Sequence, residues 1–67
     1  LIPLDIIFLT DKLQVVNIHH RTKPLSEDPL PSERPAMHVL EILGGEAAAV
    51  GLKAGDKIEI IDFPEKP

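Results

Sequence analysis

Apolar residues in this chain fall in short runs separated by polar breaks rather than at helical spacing. The first run, residues 2–9, reads Ile-Pro-Leu-Asp-Ile-Ile-Phe-Leu and stops at Thr10-Asp11-Lys12, which has the composition of a turn. Side chains alternate along a strand, so Ile2, Leu4, Ile6 and Phe8 would share one face and Pro3, Asp5, Ile7 and Leu9 the other. Both faces are largely apolar, which predicts a buried strand. A second run, residues 13–20, follows so closely that a hairpin is the natural connection. Val16 and Ile18 are expected on one of its faces, with Leu13 and Val15 on the other.

From residue 21 to 35 the character changes, with Pro24, Pro29, Pro31 and Pro35 interspersed among Ser26, Glu27, Asp28, Ser32 and Glu33. Each proline removes a backbone donor and biases its predecessor toward extended conformations, so this stretch predicts a long surface loop. Leu25 and Leu30 are the residues expected to pin it to the body. Alternation resumes over residues 37–43, with His38, Leu40 and Ile42 on one side and Met37, Val39, Glu41 and Leu43 on the other. Gly44-Gly45 ends that run. Glu46 and the three alanines behind it predict a short helix, about residues 46–51, closed by Gly51 in a left-handed conformation. Leu52 is expected to fold back onto it, and Ala54-Gly55-Asp56 to form a turn. Residues 57–61 alternate cleanly and predict a strand with Ile58 and Ile60 inward, closed by Phe63-Pro64 and followed by a fraying end at residues 65–67.

The pattern therefore describes an α+β fold, a small strand-rich curved sheet or partial barrel with one short helix and a long Pro-rich loop. With 67 residues the chain is at the lower limit of what folds alone. Cysteine is absent, so disulfides cannot supplement its core. Leu1 is not a start methionine, and residues 1–67 are expected to form the carboxyl-terminal part of a single small domain whose upstream strands are missing. The apolar run at residues 2–9 is too short to span a bilayer and contains Pro3 and Asp5, so no membrane span is expected within the chain.

Charge narrows the function classes. The formal net charge is −4, Lys and Arg are not clustered into a basic surface, and Trp and Tyr are absent, which argues against nucleic-acid binding. Nucleophilic catalysis has no support, because Ser26 and Ser32 lie in the Pro-rich loop without a positioned base. No catalytic residue and no cofactor is assigned. His19, His20 and His38 are the groups that titrate nearest neutral pH. Neighbours in a strand face opposite ways, so His19 and His20 can line one site only if the strand ends or bulges there. A His20–His38 pair across neighbouring strands is the other arrangement considered. Lacking a carboxylate at ligand spacing, the histidines are read as strand-end residues rather than as a metal site. Asp5 stands inside an apolar run, where an unpaired carboxylate is costly. It is read first as a structural acceptor and second as a binding residue. Asp5, His20 and His38 are thus the candidate binding residues. Gly44-Gly45 offers a second, weaker idea, that free helix amides face an anion.

The order of Ile2-Pro3-Leu4-Asp5-Ile6-Ile7-Phe8-Leu9, the Val15-Val16 strand, the Pro-rich connection, Val39-Leu40-Glu41-Ile42, and Gly51-Leu52-Lys53-Ala54-Gly55-Asp56-Lys57-Ile58 resembles the bacterial and archaeal family called domain of unknown function 192. The resemblance covers nearly the whole chain. In that family further strands and a polar Trp-Met-x-Asn-like motif precede the Pro-x-Asp segment, so the resemblance implies that this chain supplies the later part of the domain. It implies no established reaction, and it gives localisation a lean toward export. Residues 46–56, followed by Ile58-Glu59-Ile60-Ile61-Asp62, also resemble the middle of a PDZ domain, although the Gly-Leu-Gly-Phe-type loop and the peptide-flanking helix are absent.

Three functions follow. The first is a non-catalytic binding or accessory domain completed by upstream sequence or another protein chain. A PDZ-like peptide-binding module is the second, and an enzyme sharing its site with upstream residues is the third.

Overall fold

The computed structural model describes residues 2–24, 29–59 and 61. Three strands and one helix follow in the order β1 (Leu4–Leu9), β2 (Val15–Thr22), β3 (His38–Leu43) and α1 (Glu46–Ala49). The sheet is antiparallel throughout, with strand order β2-β1-β3. β1 is therefore the centre, as its two apolar faces require, and the β1–β2 hairpin forms as the short connection predicts. Thr10 organises its turn: the Thr10 Oγ1 accepts from the amides of Lys12 and Gln14 at 3.2 and 3.1 Å. Leu13 closes the turn with a positive φ of 62°. The fold is α+β and strand-rich, and the three strands do not close into a barrel.

Ile7, Leu9 and Val15 form the buried cluster, with Leu13, Ile18, Leu40, Ile42, Leu52 and Ile58 packed around it. Ile7 and Leu9 thus mark the core face of β1, while Leu4, Ile6 and Phe8 on the other face are half-buried. The expected alternation in β2 does not hold. The pairing passes from Phe8↔Asn17 directly to Leu9↔Val15, so one extra β2 residue is accommodated there. That irregularity lets Val15 and Ile18, three positions apart, both reach the core. β3 alternates as predicted, with Leu40 and Ile42 half-buried and Val39, Glu41 and Leu43 exposed.

The helix ends as the sequence indicates. Gly51 adopts φ 70°, its amide donates to the Ala48 carbonyl and the Leu52 amide to the Ala47 carbonyl, at 3.0 and 2.9 Å. This pair of bonds caps the otherwise unsatisfied carbonyls and turns Leu52 toward the core. Beyond it, the Asp56 side chain accepts from the amide and ammonium of Lys53, which makes the expected local turn.

The strand predicted at 57–61 is reduced to a single bridge, Gln14↔Lys57, among the described residues. Ile58 does point inward, and its amide donates to the Leu13 carbonyl at 2.8 Å. Its partner segment is short because the left-handed Leu13 interrupts the extended backbone, and among the described residues the pairing goes no further. Ile60 and Phe63-Pro64 lie outside the described residues, as does the expected fraying end at 65–67.

Leu25, one of the two expected loop pins, also lies outside the described residues. Leu30 is 40% exposed and pins little. Polar side chains of β2 hold the loop instead. Asn17 accepts from the Glu33 amide at 3.0 Å, and the Pro31 carbonyl accepts from Asn17 Nδ2 at 3.2 Å and from His19 Nε2 at 2.7 Å. Asn17 is buried despite its polarity because the loop covers it. A proline-rich segment cannot add a ladder strand, so side-chain donors reaching its carbonyls are the available attachment.

Ile7 has no exposed surface, and Ile7→Ala leaves a cavity at the centre of the cluster. The expected loss is about 2–5 kcal/mol, most of the stability available to so small a domain. It should be seen as collapse of amide chemical-shift dispersion, whereas a retained native spectrum would show that the core does not depend on this strand.

Candidate functional site

The second irregularity in the β1–β2 ladder lies at its other end, where Leu4 pairs with Thr22 and Ile6 with His19. One β1 residue, Asp5, stands between those pairs opposite two β2 residues, His20 and Arg21. Arg21 takes a positive φ of 47°, the conformation of a bulge, and its amide turns to the Asp5 carboxylate at 2.8 Å. On the opposite side β3 runs into Gly45, whose φ of 95° turns the chain into α1. The Gly45 amide lies 3.2 and 3.1 Å from the two Asp5 oxygens, and the Ala47 amide donates to Oδ2 at 2.9 Å. Asp5 therefore caps α1 from a distant strand, because the residue at the cap position is a glycine with no side chain to do so.

Asp5 is completely buried, yet every one of its partners is a backbone donor. The Arg21 amide, then that of Ala47, holds its carboxyl below the ordinary 3.8, against the opposing push of burial; the Gly45 amide and the charge of His20 add to the lowering. An ionised carboxylate so engaged is a weak base with its lone pairs occupied. The arrangement fits the reading of Asp5 as a structural acceptor. It also changes the idea of free helix amides at Gly44-Gly45, since Asp5 takes the Gly45 and Ala47 amides that an external anion would need.

The histidines separate. His20 is exposed beside Asp5 at the bulge. His38 is exposed at the start of β3 and pairs with Leu9, at the other end of β1. β1 lies between β2 and β3, so the His20–His38 pair across neighbouring strands does not form. His19 is half-buried, donates from Nε2 to the loop, and meets the Phe8 ring edge-on with centroids 5.7 Å apart. No group of three or more metal-ligating side chains assembles among the described residues.

Asn17, His19 and Arg21 carry structural duties that the sequence reading did not assign. A polar residue at 17 two positions from His19, within an apolar run, was the available signal for the loop attachment. Arg21 gave none, because its contribution is a backbone amide freed by a bulge.

The DUF192 family model, described as an uncharacterized ACR, matches residues 1–60. The chain belongs to this family. No curated protein and no solved structure matches it. The DUF192 match includes the stretch that resembles a PDZ domain. Here that stretch forms α1, its glycine closure and the Lys53–Asp56 turn, which docks on β2 through the Asp56 carbonyl and the Gly55 amide at Val15.

Because the Asp5 pKa is lower in the folded than in the unfolded chain, its contribution is complete above the ordinary 3.8 and disappears as pH falls through the depressed folded value. Asp56, lowered first by the Lys53 amide, acts in the same direction. Asp5→Asn should remove most of this acid sensitivity and expose the Arg21, Gly45 and Ala47 amides to hydrogen exchange at least about tenfold faster. Unchanged exchange would dismiss the capping role. Gly45→Ala is expected to cost about 1–2 kcal/mol in a denaturant titration, for the left-handed backbone alone.

Proposed function

We propose that this DUF192 domain is a non-catalytic binding or accessory domain whose open sheet is completed by further polypeptide, from elsewhere in its own chain or from a partner subunit. The observation that supports it is the state of β3. This strand pairs only with β1 among the described residues and exposes Val39 and Leu43 on one face, 54% and 49%, with Met37 just before it. An unpaired edge beside exposed apolar side chains is a template for strand addition, and natural sheets of this size rarely leave one open.

The register supports the same reading. Gly44 donates to Pro3 at 2.8 Å in step with the β1–β3 ladder, so the backbone groups of Val39, Glu41 and Leu43 alternate away from β1. An added strand would meet donors and acceptors that have no partner among the described residues, and exposed side chains on the same residues. Further strands would continue the sheet toward a curved or partly closed barrel, and the two bulges in β2 already provide the bending such closure needs. Within this reading Asp5 is the internal anchor of the sheet, His38 opens the edge strand, and His20 stands at the opposite margin. No reaction follows from these positions.

The 67-residue chain alone is expected to self-associate, with a sedimentation coefficient that rises with concentration. Val39→Lys combined with Leu43→Lys should shift it toward monomer, since charge on an edge strand opposes pairing. A concentration-independent monomer with a cooperative melt would overturn the proposal.

A further inference from the structure

His19 pairs with Ile6 and His20 stands opposite Asp5, positions of β1 that face opposite ways, and a cleft of about 570 Å³ beside the edge strand β2 is lined by both histidines. Ile6, Ile18 and Leu30 supply its apolar wall. Lys23 places one positive charge on the polar rim beside the histidines. In a chain of net charge −4, residues 19–23 read His-His-Arg-Thr-Lys with no acid among them.

The donors on that rim are not equivalent. His19 Nε2 is committed to the Pro31 carbonyl, and the Thr22 hydroxyl donates to the Leu4 carbonyl at 2.8 Å. Arg21 is turned away, its guanidinium lying over Gly45 on the opposite side of the bulge. Lys23 and His20 are both exposed, and among the described residues their side-chain donors bond to no other group. Asp5 is the acid near His20, but its oxygens are bonded to the Arg21, Gly45 and Ala47 amides rather than to the histidine.

We propose that this cleft binds a small amphipathic carboxylate, with the carboxylate on Lys23 and His20 and the apolar body against Ile6, Ile18 and Leu30. The geometry uses only residues of this chain, so the site stands whether or not a further strand is added at β3. Charge-assisted bonds at a half-open rim fix orientation, and the apolar wall provides the remaining attraction.

Octanoate titrated into the 67-residue chain, followed by the His20 ring proton shifts and by calorimetry, tests it. Saturable binding is expected, weakened about tenfold by Lys23→Glu and measurably by Lys23→Gln and His20→Ala. Lys57→Glu, which changes net charge equally at an exposed site elsewhere, should leave affinity unchanged. The proposal is overturned by the absence of saturable shifts, by equal loss in the Lys57 and Lys23 variants, or by inorganic phosphate binding as tightly as octanoate. Native amide dispersion in each variant distinguishes lost binding from lost folding.

Discussion

The structure depends on one buried carboxylate. Asp5 sits in the middle strand of a three-stranded sheet and accepts from amides on both of its neighbours: Arg21 at the end of β2, and Gly45 and Ala47 where β3 passes into α1. Two irregularities of the backbone, a bulge and a left-handed glycine turn, would each leave an amide without a partner, and a buried orphan donor is strongly disfavoured. Asp5 resolves both at once. The charge is tolerated because the amides that surround it replace its water, and no side chain has to be ordered to do so.

This explains why some of the molecule was legible in the sequence and some was not. The runs at 2–9, 13–20 and 37–43 gave the three strands, because β-branched and apolar residues between turn formers have few other uses. Ala47, Ala48, Ala49 and Gly51 likewise gave the helix and its end. Asp5 stood out as a charge in an apolar run, and its structural role was the first reading. Its partners could not be read, because they are backbone amides made available by a register shift, which leaves no mark on residue type. The same applies to β2, where the second shift put Val15 and Ile18 on one face against the alternation. Of the strand expected at 57–61 the described residues show one bridge, at Lys57, for a related reason: the local pattern is clean, but its neighbour turns left-handed at Leu13.

The two faces of the sheet are covered by different physics. On one, Ile7, Leu9 and Val15 meet the residues that follow α1, and burial of apolar surface holds the layers together. On the other, a proline-rich loop stands over Phe8 and is held by Asn17 and His19 through directional bonds to its backbone. Apolar contact is indifferent to a small slide of one layer on another, whereas these bonds fix the position of Pro31 and Glu33. The loop therefore shapes the wall of the cleft beside β2 without contributing much to the core.

The central position of β1 also has a bearing on biosynthesis. Its β2 neighbour is made soon after it, but β3 and the Gly45 amide, 40 residues beyond Asp5, appear much later. During that interval one edge of an apolar strand is without its neighbour, the condition under which nascent chains aggregate. A charge in the middle of such a segment is the usual defence, since it must be desolvated before strands from different molecules can stack. The carboxylate that later organises the native sheet thus begins as a gatekeeper, and its burial is safe only once the correct amides have arrived.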